Sequence, residues 1–270
     1  MERTVADGRH WWLDAIGAAV AVFLIAPSVV VVLMSFSSGK MMMFPPPGFG
    51  LNWYANFFDS DEWIGAAVHS LQIGVCAAIL ATCLGTLTAF GLVHSRPRIA
   101  RLANAVIISP MIVPLVVTAI GMYFTYQNMG LSTFFSIVIA HTVLGLPYVV
   151  ITVTASLYGL DADLDLAARN LGASPSRSFF RITLPLIIPG VAVGAIFAFV
   201  ASWDEVVVAL FLTTPTLRTL PVTMWQQTQS TVDPTIAAAS SLLTTFTLLL
   251  LLAVIVFRRL SALSVGERAT

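Results

Sequence analysis

Two adjacent carboxylates, Asp204 and Glu205, interrupt a stretch that is otherwise almost wholly apolar, IIPGVAVGAIFAFVASWDEVVVALFL. A charge at depth in a bilayer costs at least ~2.5 kcal/mol on insertion scales, so such an acid is paired, protonated or turned toward water. Counted from Pro189 along a helix, Asp204 lies about 22 Å in, beyond the midplane of a bilayer. Three chemistries fit: a cationic solute passes the acids, a basic residue of a second subunit pairs with them, or they are structural near the outer interface. On a continuous helix Phe197, Ala201, Asp204 and Val208 share one face, with Phe211 next in line, while Trp203 and Glu205 point elsewhere. Asp204 is therefore the first candidate to face a solute, and aromatic neighbours beside a carboxylate favour ammonium groups by charge and cation–π contact. No Lys or Arg falls in the apolar core of any span, which leaves His141 as the deep candidate partner. Hydrogen bonding for packing is the simpler role for that histidine.

A second constellation lies in the polar segment GLDADLDLAARNLGASPSRSFFRITLPLIIP, from Gly159 to Pro189. Asp161, Asp163 and Asp165 complement the positive end of a helix over 161–171. Leu164, Ala167, Ala168 and Leu171 fall at helical spacing and make a narrow stripe of mostly small apolar residues. Gly172 permits the left-handed turn that ends such a helix. Ser174 and Pro175 then cap and open a second short helix. A stripe of alanines suits close approach to a groove on a partner; an amphipathic helix resting on lipid is the alternative that composition leaves open.

The elements that must carry these residues are membrane spans. The 270-residue chain is 58% hydrophobic and 10% charged with a mean hydropathy of +0.92, too apolar for a soluble surface to cover. Apolar windows long enough to cross a bilayer run over Leu13–Met34, Gly65–Val93, Leu102–Gln127, Thr133–Tyr158, Ile187–Leu212 and Thr235–Phe257. The first is too long for a signal-peptide core and no small-residue cleavage pattern closes it, so it is read as a span. If the N-terminus is inside, Arg3, Arg9, Arg96, Arg98, Arg101, Arg169, Arg177, Arg181, Arg258, Arg259 and Arg268 are cytoplasmic. Only Lys40 and Arg218 then lie outside, a bias that places both termini and the patterned loop in the cytosol. Ala81, Gly85 and Ala89, and likewise Gly190, Gly194 and Ala198, recur every four residues and allow close helix contact. Pro110, Pro114 and Pro147 are expected to kink their spans. Trp53 and Tyr54 suit an interfacial helix in the first outer loop.

The spaced pattern Ala167-Ala168-x3-Gly172-x9-Ile182-x-Leu184-Pro185 resembles the cytoplasmic EAA loop of permease subunits of binding-protein-dependent ABC importers. The resemblance implies an all-α polytopic membrane protein of the type I, MetI-like fold with six transmembrane helices. It implies residues 1–64 as tail, first span and first outer loop, residues 65–258 as the core permease domain with its coupling loop at 159–188, and 259–270 as a cytoplasmic tail. In that family the loop is the coupling helix, so Leu164, Asp165, Ala167, Ala168, Leu171, Gly172 and Ala173 are the expected ATPase contacts. The family usually carries Glu directly before the two alanines; here Leu166 stands there, and Asp165 lies one residue earlier, rotated by about 100° on a helix. The stretch Ser202-Trp203-Asp204-Glu205, followed by Arg218-Thr219-Leu220-Pro221, resembles the polyamine (spermidine/putrescine) branch, with branches for opines, iron and thiamine sharing parts of it. Trp203, Asp204 and Glu205 are accordingly the expected substrate-pathway residues.

The implied partners are a dimer of ATP-binding subunits, a second permease subunit of different sequence, an external substrate-binding protein and the lipid of a bacterial inner membrane. No cofactor is expected on this chain; ATP and Mg are used by the partner ATPase. The chain has no GxxxxGK[ST] loop for ATP, and no HExxH, CxxC or GxSxG. His10, His69, His94 and His141 lie on separate segments, and no basic run suits nucleic acid. Cys76 and Cys83, seven residues apart on one helix, are too distant along it for a disulfide. The rival from another class is a self-contained secondary transporter or channel, which commonly shows internal repeats; none is visible here.

Overall fold

The computed structural model describes the backbone of residues 11–161, 163–230 and 233–266, with side chains throughout these except at 165, 166 and 257–266. Arg3, Arg9, Arg258, Arg259 and Arg268, which enter the charge bias, lie outside the described side chains, as does that of Asp165. The described chain is helical: α1 (Trp11–Ser35), α2 (Asn52–Asp59), α3 (Asp61–His94), α4 (Pro97–Ile112), α5 (Leu115–Asn128), α6 (Thr133–Tyr158), α7 (Asp163–Asn170), α8 (Pro175–Ser178), α9 (Leu184–Trp203), α10 (Val207–Leu212), α11 (Leu220–Ser230) and α12 (Thr235–Gly266). A π-helical turn, Phe179–Thr183, joins α8 to α9 without a break. Five stretches are long and apolar enough to cross a membrane, and the bent pair α4–α5 makes a sixth if counted as one span.

Two of the expected spans are not straight helices. Over Leu102–Gln127 the chain forms α4 and α5, which meet at 103°. The cause is local: Pro114 has no N–H to continue the helix and holds Val113 extended (φ −68, ψ 136), so α4 ends and Pro114 starts α5. The expected Ile187–Leu212 span likewise stops at Trp203 and resumes at Val207 as the short α10. Its helix starts earlier instead, so the spanning stretch is Pro175–Trp203. By contrast α6 runs through Pro147, which is buried, without losing its helical assignment.

The chain divides into two compact units. The larger, residues 60–226 and 245–270, is built on α3, α6 and α9. Their contact uses the small-residue rows. A side-chain carbon on Gly85 would stand 2.7 Å from Val149 Cβ, one on Gly194 2.9 Å from Val149 Cα, and one on Gly145 3.1 Å from Ala198 Cβ. Helix backbones can approach this closely only where no Cβ intervenes. One apolar cluster joins Ala81, Ala89, Val149, Val153, Ile187 and Ala198. A second gathers Ile73, Ala119, Ile137, Ala140, Val208 and Leu212.

The smaller unit comprises residues 1–59 and 227–244. Tyr54 of α2 shares its hydroxyl with Ser35 Oγ at 2.7 Å and donates to Ser241 Oγ at 3.1 Å. Asn56 donates to Thr235 Oγ1 at 2.8 Å, and Asp233 caps the start of α12 through the Thr235 amide at 2.9 Å. These polar bonds tie α2 to α1 and α12.

Candidate coupling and translocation sites

The patterned loop forms two short helices with a hinge of defined geometry. Asp161 Oδ1 accepts the Asp163 amide at 3.0 Å and opens α7. Gly172 adopts φ +85, a left-handed conformation in which a side chain is strained. The Ala173 amide then reaches back to the Ala168 carbonyl at 3.0 Å, and the Gly172 amide to the Arg169 carbonyl at 2.9 Å, which closes the helix end. Ser174 Oγ accepts the Arg177 amide and Pro175 occupies the first turn of α8.

The four-residue apolar stripe does not face one way. Ala168 is 6% exposed and packs inward, whereas Leu164 and Leu171 are 44% and 90% exposed. Ala167 and Gly172 are also exposed, Ala173 is half-buried, and nothing lies within 4 Å of a side chain built on Gly172. The outward surface is thus Leu164, Ala167, Leu171 and Gly172, while Ala168 belongs to the loop's own packing. A cavity of about 480 Å³ lies behind this loop, lined among others by Phe90, His94, Tyr158, Asp161, Leu164 and Leu186. Phe90 meets Phe179 of the π-helical turn edge-on at 4.8 Å.

The acid pair sits at the break between α9 and α10, not within a helix. Asp204 caps α9 (φ −93, ψ 0), its amide bonded to the Val200 carbonyl at 3.1 Å. Its side chain is exposed and forms no hydrogen bond or ion pair among the described residues. Glu205 is 7% exposed and turns the other way. Its two oxygens accept the amides of Val208 and Ala209, each at 2.8 Å, so the carboxylate occupies the positive end of α10. This side-chain capture of backbone donors is what ends one helix and starts the next.

His141, 1% exposed on α6, completes the arrangement. Its Nδ1 lies 2.7 Å from Ser202 Oγ, and its Nε2 lies 3.4 Å from Glu205 Oε2, within ion-pair distance but outside hydrogen-bond geometry. Trp203 is 7% exposed and packs in an aromatic cluster, stacked on Phe199 at 5.7 Å and tilted against Phe246 at 4.9 Å. Of the three expected pathway residues the structure therefore exposes Asp204 and buries Trp203 and Glu205. The continuous helix assumed for their faces is replaced by a break, because Glu205 draws the backbone of α10 to itself.

Sequence reasoning missed Ser202 as the partner of His141. The signal was a hydroxyl two residues before the acid pair, but the histidine is 61 positions away. It also missed the staple at the far end of α3. Arg218 donates to Glu62 at 3.1 Å, Ser70 Oγ accepts the Leu220 amide at 2.7 Å, and a ring nitrogen of His69 lies 3.3 Å from the Arg218 carbonyl.

Several helices long and apolar enough to cross a membrane, one broken span and a two-helix polar loop mark a multi-pass membrane protein. The chain belongs to the family of binding-protein-dependent transport system inner membrane components, whose sequence profile matches residues 81–263. It is similar to the spermidine/putrescine transport system permease protein PotC of Haemophilus influenzae, 33% identical over 231 residues that cover 85% of this chain and 90% of that protein. The putrescine transport system permease protein PotI of Escherichia coli K12 is 32% identical over 224 residues, 80% of this chain and 79% of its own. The molybdenum transport system permease protein ModB of Mycobacterium bovis is 32% identical over 64% of this chain and 71% of its own.

Among solved structures, a bacterial ABC transporter that imports alginate shares the fold with a TM-score of 0.71 at 16% identity, covering 95% of this chain and 96% of that one. The methionine ABC transporter MetNI matches with a TM-score of 0.60 at 17% identity, over 74% of this chain and 98% of that one. The fold is the MetI-like one, and the chain is a permease subunit of an ABC importer, not an enzyme; the ATPase of such a system is a separate subunit.

Proposed function

We propose that this chain, paired with a second permease subunit of different sequence, forms the translocation path of an ATP-driven importer for a small cationic solute of the polyamine class, spermidine or putrescine. The observation that carries this reading is its similarity to two permeases of spermidine/putrescine and putrescine systems over 80% or more of its length. The exposed, unpaired carboxylate of Asp204 at the helix break supports a cation. The molybdenum-system relative covers less of the chain, and a bare carboxylate disfavours an anion. An opine, an amino acid derivative, iron or thiamine would use the same machinery.

The arginine bias supports cytoplasmic termini and a cytoplasmic loop 159–188 within the core domain 65–258. On that orientation Leu164, Ala167, Leu171 and Gly172 meet the ATP-binding dimer, where ATP and Mg are consumed, and an external binding protein delivers solute at the opposite end. Uptake of labelled spermidine and putrescine by the reconstituted importer tests this. Asp204→Asn should cut uptake by at least about tenfold, the scale of one lost charge-assisted bond or more, while the ATPase still co-purifies. Polyamine uptake that is absent in the intact importer, or unchanged in Asp204→Asn, would refute it.

A further inference from the structure

The two neighbouring acids are chemically unequal. Glu205 has its charge answered from within the subunit by two backbone amides, with His141 Nε2 3.4 Å away, whereas Asp204 has none of its charge answered. We infer that Glu205, His141 and Ser202 are positioning residues: they form a buried latch that fixes the helix break and so holds Asp204 on the surface it presents to the solute. This rests on the reading of Asp204 as the solute contact.

The three side chains come from three different backbone segments: His141 from α6, Ser202 from the last turn of α9, and Glu205 from the link into α10. In the link between α9 and α10 the Asp204 and Glu205 amides still bond back to the Val200 and Ser202 carbonyls, while the Val208 and Ala209 amides of α10 are taken by the Glu205 side chain, so the turn into α10 depends on that side chain. His141 Nδ1 shares a hydrogen with Ser202 Oγ at 2.7 Å, and its Nε2 faces the Glu205 carboxylate at 3.4 Å. The ring then orients Glu205, and Glu205 orients the first turn of α10 through the Val208 and Ala209 amides. Asp204 lies between the two anchored points, Ser202 and Glu205. A chain fixed on both sides of one residue leaves that residue few directions for its side chain. Burial makes the latch stiff, since the Glu205 carboxylate and the Val208 and Ala209 amides would otherwise lie unpaired in an apolar core. Val208 and Ala140, both fully buried in one apolar cluster, pack α10 against α6 beside it.

The test uses the assembled importer in membrane vesicles, with Cys76 and Cys83 replaced by Ser so that Asp204→Cys is this chain's one thiol. Modification of that thiol by a positively charged methanethiosulfonate reagent reports how position 204 is presented. Adding Glu205→Gln or His141→Asn should slow the reaction by about tenfold, the scale of one lost charge-assisted bond. His141→Gln, whose amide reaches toward Glu205 as Nε2 does, should restore most of the rate; His141→Asn keeps only the side facing Ser202.

With Asp204 intact, Glu205→Asp retracts the carboxylate from the two amides. It should raise the KM of uptake severalfold with little change in Vmax, a pattern that general misfolding does not give. Reaction rates at position 204 that are indifferent to both Glu205→Gln and His141→Asn would overturn the latch. So would an unchanged KM in Glu205→Asp, or protection of a Glu205→Cys thiol by spermidine, which would make Glu205 a solute contact itself. Normal uptake by Asp204→Asn would remove the solute role of Asp204, yet the thiol rates would still decide the latch.

Discussion

Two of the chain's helix breaks, at Gly172 and at residues 204–206, are made by residues of unlike kind and turn their side chains in opposite directions. At Gly172 the backbone itself makes the turn, with φ +85, and no side chain is spent on it. Leu171 and Leu164 are left facing outward. At residues 204–206 no glycine is present, and the turn is made by Glu205 capturing the amides of α10. The polar groups there face inward, onto His141 and Ser202. A backbone-made turn frees its neighbours to meet a partner, while a side-chain-made turn binds its neighbours into the subunit. The loop leucines stay exposed, as the proposed coupling surface requires, while the buried glutamate is satisfied within the subunit.

This contrast can be broken most sharply at Leu171. Leu171→Asp should reduce uptake and ATPase stimulation to background while the purified subunit keeps its thermal unfolding midpoint, because the side chain is 90% exposed and supports no internal packing. Unimpaired transport would remove the loop from the coupling surface. Gly172→Val should act less severely and differently. It strains the turn by ~1–2 kcal/mol, so uptake should fall severalfold, with proteolysis inside 163–178 accelerated. A variant that cleaves and transports like the parent would show that the left-handed turn is dispensable.

The smallest effect is expected at Arg218, whose bond to Glu62 is half exposed to solvent. Arg218→Ala should cost no more than ~1 kcal/mol of stability, and less at high salt, because exposed ion pairs are screened. A larger loss, measured by thermal unfolding, would mean that the staple between the 218–220 segment and α3 carries more of the fold than the two interruptions do.

Much of this was readable in the residues themselves. The α6 boundaries, Thr133 and Tyr158, coincide with the apolar window, since its flanks are marked by Ser132 and Gly159. The left-handed turn at Gly172 after α7 and the start of α8 at Pro175 follow from the residue types at those positions. The small-residue rows of α3 and α9 announced close packing, and the contacts of Gly85 and Gly194 with Val149 are of that kind. Less was readable in the third and fifth spans. Pro114 suggested a kink, and the structure makes of it a full break with a 103° bend, a size that the residue type alone does not state. The break at Asp204 carried no proline or glycine, so an apolar window ran straight across it.

What the order of residues determined alone was local: where a chain is apolar for long enough to cross a bilayer, where a glycine can turn left-handed, where serine and proline open a helix. Each depends on interactions within a few positions, and the spacing of types contains them. The tertiary structure decided which way the two acids face, that Ala168 turns inward while Leu171 does not, and that His141 meets residues 61 and 64 positions later. Those outcomes depend on which helices lie side by side. A hydrogen bond between distant segments has its energy fixed by packing geometry, which no local window holds.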